Sequence, residues 1–263
     1  MHDRTLGTDG VLRDHRPRVD RGRRSGWRWT KALAGRLDLA NASALSVAHG
    51  SEGRVRPDFD TLIVTGTGFS LLVLAFFGWR FGLARTNVFI VVAGLFPAAM
   101  DFISSFAVSN YLYPGQSRLW VFTYIFFGWM AVCGTCLLVA EGILAEPGED
   151  LLNSARMRWQ APLLAAVTAV LLDLFIDPIA VAAGYWAWTK PANVYYEIPL
   201  LNFVGWFVLM FLAPLAWIEI SRRKTWGSLR MGFAALLALP LLFAASVAMS
   251  LVLNGLIGLT GLQ

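Results

Sequence analysis

An all-α fold of membrane-crossing helices is the architecture this sequence predicts, on three observations. Of its 263 residues, 57% are hydrophobic and only 15% charged, against roughly a quarter charged in an ordinary soluble domain. The apolar residues gather into six stretches, each near or above the ~20 residues needed to cross the hydrocarbon core. The charges are segregated: 12 of the 22 lysines and arginines fall in the first 60 residues.

Residues 1–60 read as a basic tail. Met1–Arg24 is rich in Arg, Asp and Gly and has few large apolar groups, so it is expected to be disordered. Its basic start is not followed by an apolar run, which argues against a signal peptide. Trp27–Val47 can form a short helix with Trp29, Leu33 and Leu37 on one side and Arg28, Lys31 and Arg36 elsewhere. Such a segment suits either the surface of anionic lipid or a partly solvated tail. No nucleic-acid-binding fold accompanies the charge, so nucleic acid is not an expected partner.

Residues 61–263 form the transmembrane domain. The expected spans are Thr61–Trp79, Asn87–Val108, Leu119–Leu144, Ala161–Ala183, Pro199–Ile220 and Met231–Leu259. A seventh would arise if the chain breaks near Pro178. Inside a bilayer no water pairs with the backbone, so each span is helical. The last is long enough to tilt, kink near Pro240 or extend past the membrane. Orientation stays open, because the basic tail and the cluster Arg222, Arg223, Lys224 and Arg230 favour opposite assignments.

The inventory of side chains narrows the chemistry. The only histidines are His2, His15 and His49, all in the tail. A membrane di-iron oxidase or a b-type haem needs histidine ligands within the bundle. Cys133 and Cys136 form a CGTC sequence in the third span, but no further Cys or His completes a zinc site there. They read as small helix-packing residues.

Acids at membrane depth are costly and therefore candidates for function. Asp101, Glu141, Asp173, Asp177 and Glu219 lie in or beside spans. Asp173 and Asp177 are four residues apart, hence on one helical face. Two acids so close in a medium of low dielectric cannot both stay ionised, so one is expected to hold a proton. A carboxylic acid paired with a carboxylate is a general acid and base. The alternative role is to satisfy polar groups within the bundle. Pro178 removes a backbone N–H and is expected to free carbonyls beside the pair. Tyr185, Trp186, Trp188, Tyr195 and Tyr196 follow, and Asn202 and Trp206 open the next span. By position these aromatics suit an interfacial belt. Beside acids they also suit a cage for a cation.

The strings LLDLFIDPIAVAAGYWAW and YYEIPLLNFVGW resemble the signature of the integral-membrane carotenoid biosynthesis protein family, which includes carotenoid 1′,2′-hydratases. The resemblance is close over about 36 residues and weaker over Phe89–Ile220, the string D-x-x-x-D-P with a W-x-W and a later I-P-x-x-N-F-x-G-W being fairly specific. It implies roles for Asp173, Asp177, Pro178, Tyr185, Trp186, Trp188, Tyr196, Pro199, Asn202 and Trp206, with Asp101 standing for a further family acid. Glu141 joins the substrate-contacting candidates. Two features depart from the family: MDFISSFAVSNYLYPGQSRLW contains no Pro-Phe-Gly element, and Glu197 replaces a small residue.

Residues and resemblance together imply an enzyme in which a buried Asp protonates a trisubstituted alkene of a long isoprenoid. Trp and Tyr faces would stabilise the tertiary cation, and water placed by the second Asp and Asn202 would add to it. No metal or organic cofactor is required. With water excluded, an internal alkene would trap the cation, giving a terpene cyclase or isomerase. Magnesium-dependent prenyl transfer fits less well, since only Lys190 lies near the acids. A proton-coupled lipid carrier is the non-enzymatic alternative. The expected setting is a bacterial cytoplasmic membrane, with a lipophilic isoprenoid substrate, membrane lipids and other pathway enzymes as partners.

Overall fold

The computed structural model describes residues 58–190 and 195–259. The expectations for the basic tail and its interfacial helix lie outside those residues. Among the described residues, six helices are long and apolar enough to cross a membrane: α1 (Phe59–Phe81), α2 (Leu83–Phe106), α3 (Arg118–Leu144), α4 (Met157–Ala183), α5 (Leu200–Ser221) and α6 (Ser228–Leu259). They match the expected spans, with one informative shift. The second begins four residues early because Gly82, at φ 84°, turns the chain between α1 and α2 without a loop.

Side chains fix where helices start. Asp58 caps α1 by accepting from the Thr61 amide at 2.6 Å, and Ser117 caps α3 by accepting from Trp120 at 3.3 Å. Gly184, in the left-handed region at φ 76°, ends α4. Pro178 lies inside α4, which continues through it as one helix, so no seventh span arises among the described residues.

α4 packs against α3 and α5, α1 against α3, and α6 against α5. Phe77, Phe89 and Trp217 form the densest aromatic contact, with Phe77 centroids 4.3 Å from Phe89 and 5.3 Å from Trp217. The Trp217 indole donates to the Arg85 carbonyl at 2.9 Å, so its polar edge is satisfied. Cys133 and Cys136 are buried in this packing as free thiols. By contrast, α1 and α6 expose large apolar side chains such as Leu72, Leu237, Leu241 and Val252, the surface expected against lipid chains.

A π-helical stretch, Ile90–Leu95, interrupts α2. It falls where the helix meets α3 most closely: a Cβ on Gly94 would lie 2.9 Å from Met130 and Phe126. The wider turn adds a residue to the register just before Pro97 and so sets which face of the following segment, with Asp101, meets α3.

At one end of the bundle Arg80 forms a two-pronged pair with Glu141, at 2.6 and 2.8 Å. Arg158 pairs with Glu219, and Arg85 donates to the Ser221 carbonyl. At the other end, the loops after α2 and α4 meet in a two-stranded antiparallel ribbon. Its strands β1 (Tyr111–Leu112) and β2 (Ala187–Trp188) pair Tyr111 with Trp188 and Leu112 with Ala187. Thr189 ties the ribbon down through bonds to the carbonyls of Ser109 and Asn110.

Candidate functional site

Asp173 and Asp177 stand one turn apart on α4 and are 0% and 3% exposed. Opposite them, in the first turn of α5, the single amide nitrogen of Asn202 donates to Asp173 Oδ2 at 2.6 Å and to Asp177 Oδ2 at 2.7 Å. Both amide hydrogens are thereby used, one on each acid. Asp177 Oδ1 accepts from the Trp186 indole at 3.1 Å. Asp173 Oδ1 is buried with no partner among the described residues. Behind the pair, Pro178 cannot donate to the Leu174 carbonyl, and the Tyr195 hydroxyl does so instead, at 2.7 Å. The carbonyl freed by the proline is thus used to fix the loop that leads into α5.

A second acid centre lies on α2. One oxygen of Asp101 accepts from the Tyr111 hydroxyl and the other from the Trp129 indole at 2.9 Å. Tyr111 sits on the ribbon outside the spans. Burial first, and the Asp101 charge second, push its phenol well above its usual range. It therefore remains a donor at any physiological pH.

Between these centres lies a cavity of two lobes, partly open, enclosing about 580 and 660 Å³ of space that includes open solvent. Asp101, Tyr111, Trp129, Trp188, Asn202 and Trp206 line both lobes. The first lobe adds Asp177, Tyr113, Tyr124 and Trp186. Its aromatic walls are mutually packed, with Trp129 and Trp206 centroids 4.6 Å apart and Tyr111 and Trp188 4.9 Å apart. Their polar edges are directed at acids, as Trp129, Trp186 and Tyr111 show. The Trp188 indole N–H, in contrast, has no acceptor among the described residues.

Of the residues singled out from sequence, the structure brings together Asp101, Asp173, Asp177, Asn202, Trp186, Trp188 and Trp206. Tyr185 stands aside from the cavity lining, its ring 6.2 Å from Phe59. Tyr196 is 70% exposed and packs on Tyr195. Glu141 lies apart from the others, about 18 Å along α3 from Trp129 at 1.5 Å per residue, where Arg80 and the Leu151 amide satisfy it. Its burial reflects an ion pair at the far end of the bundle and no contact with the cavity. Four aromatic lining residues were missed, Tyr111, Tyr113, Tyr124 and Trp129, and so were the polar Ser104, Asn110, Ser246 and Ser250. Tyr111 and Tyr113 alternate between two spans, a spacing that places both on one face of an extended segment.

Fold and site define a membrane protein whose described residues form six membrane-length helices with a partly open, acid-and-aromatic cavity at one end. The carotenoid biosynthesis protein family matches residues 61–261, and the chain belongs to that family. No curated protein and no solved structure matches it.

Proposed function

We propose that this protein is an enzyme of a bacterial cytoplasmic membrane that adds water across a terminal carbon–carbon double bond of a carotenoid. The observation that carries this reading is the acid pair Asp173–Asp177, bridged by one amide and opening through Asp177 onto an aromatic cavity. The pair holds one proton. Asp177, which lines the cavity, delivers it to the less substituted alkene carbon. Asp173, behind it, carries the pair's charge beforehand; on transfer both acids are carboxylates, the cation formed beside them offsets the added charge, and Asn202 holds both in register. The tertiary cation forms among the faces of Trp129, Trp186 and Trp206, whose quadrupoles favour positive charge. Asp101 already accepts two hydrogen bonds and is the carboxylate across the cavity that steadies the cation. A water oxygen then bonds to the cationic carbon and returns a proton to the acid pair, so the sum is alkene plus water giving a tertiary alcohol, with no change of oxidation state overall.

Expression of the chain in a lycopene-producing bacterial host, with mass analysis of extracted isoprenoids against an empty vector, tests the proposal. A product heavier by one water supports hydration. A product of unchanged mass and altered retention assigns the same protonation chemistry to cyclisation or isomerisation. Lycopene and shorter acyclic isoprenoids all recovered unchanged would overturn the enzymatic reading.

A further inference from the structure

The second lobe of the cavity differs in chemistry from the first. Beside the residues common to both, the first lobe adds mostly aromatic rings, whereas the second adds Ser104, Asn110, Ser246 and Ser250 set among Met100, Leu201, Gly205 and Leu209. Ser246 and Ser250 lie on α6, a helix otherwise apolar on nearly every position. With Asn254 they recur every four residues, forming one polar line on that helix. The line runs about 12 Å, toward the end of α6 at Leu259. Asn254 donates to the Ser250 carbonyl at 2.7 Å, while the hydroxyls of Ser246 and Ser250 are bonded to no other described group. Across the lobe, Asn110 donates to Ser104 Oγ at 2.9 Å, which leaves the Ser104 hydroxyl proton available. Hydroxyls without protein partners that face a cavity shared with Asp101 and Asn202 are sites where buried water is held. Burying such a hydroxyl without a partner is costly, and a water in the lobe supplies one.

On these grounds, and resting on the hydration reading above, we infer that the second lobe is a water chamber, in which Ser246 and Ser250 hold the nucleophilic water and thereby determine that water captures the cation. Substrate occupies the aromatic lobe. The junction at Asn202, Trp129 and Trp206 is where the two meet. Without the serine hydroxyls the cation still forms. It then loses a proton from a neighbouring carbon to the acid pair, giving a double-bond isomer of the substrate with no added oxygen.

The test uses the full chain reconstituted in phosphatidylglycerol–phosphatidylethanolamine vesicles with lycopene, in deuterium oxide enriched in oxygen-18. Deuterium in recovered isoprenoid reports protonation, and oxygen-18 reports water capture. For Ser246→Ala/Ser250→Ala, the ratio of oxygen-18 to deuterium is expected to fall about tenfold, the scale of losing the hydrogen bonds that fix one water. Deuterium-bearing isomers of unchanged oxygen content should rise in its place. Ser250→Thr, which keeps a hydroxyl, should hold the ratio near that of the unaltered protein. An unchanged ratio in the double variant overturns the inference. So does a parallel loss of both labels, which would assign the serines to protonation or folding. An unaltered protein that incorporates neither label overturns the hydration reading, and this one with it.

Discussion

Replacing Asn202 by leucine perturbs the site at its narrowest structural dependency. The side chains are nearly equal in size, so the change deletes the amide while preserving most of the volume. Two hydrogen bonds disappear, those to Asp173 Oδ2 at 2.6 Å and Asp177 Oδ2 at 2.7 Å. Asp177 keeps its bond from Trp186. Asp173 keeps no described side-chain partner, because its other oxygen already lacks one. Bonds to a charged acceptor contribute about 1.5–3 kcal/mol each. If half of the combined loss is felt as charge redistributes within the pair, the barrier rises by about 1.5–3 kcal/mol, or roughly ten- to a hundredfold in rate. The assay is product formed per unit of membrane-inserted protein in the lycopene-producing host, with thermal unfolding in detergent as a control for structure. Asn202→Leu with unaltered turnover and unaltered melting would refute the role given to the amide bridge. Asn202→Gln, which retains the donors on a longer stem, should recover part of the activity.

Four further outcomes are expected. Asp173→Asn and Asp177→Asn should each lower product formation by at least about a thousandfold while membrane insertion, followed by fractionation, stays intact. Glu141→Gln should leave turnover unchanged yet lower stability by about 2 kcal/mol, because it weakens a buried pair with the part-exposed Arg80; thermal unfolding and product assay on the same preparation separate the two effects. The phenols of Tyr111 and Tyr113 are pushed well above 10 by burial. Raised values in the fold mean that stability is fully present below pH 10, where the unfolded phenols are also protonated, and is lost as pH climbs beyond it; melting scans from pH 7 to 11 should show this decline, and Tyr111→Phe should soften it. Glu197→Gly should raise the melting temperature, with about 1 kcal/mol gained, since Glu197 holds φ at 63°, a conformation that glycine adopts freely.

The six helices were legible because a bilayer imposes one length and one backbone solution on any apolar stretch. The acid pair was legible for a similar reason: four residues of separation in a helix fixes a shared face. Asn202 was reachable through its place in the matching string, although its position between the two acids was not, because 29 and 25 residues of chain separate it from them. The second acid centre was harder to see. Asp101 gains its partners from a ribbon and from the middle of α3, and its facing is set by a π-helical turn that no local spacing announces. Glu141 shows the converse. An acid at membrane depth invites a functional role until its partner is known, and Arg80 lies 61 residues away. Tyr196 belongs to an aromatic run whose composition predicts either a belt or a cage, and its exposure places it outside the cavity.

The most direct test of the central claim is to incubate the purified, reconstituted protein with lycopene in water enriched in oxygen-18 and to analyse the product by mass. A tertiary alcohol carrying one oxygen-18 atom, absent when Asp177→Asn replaces the unaltered protein, is the predicted result. An alcohol formed equally well by the variant, or no alcohol from the unaltered protein, would contradict the account.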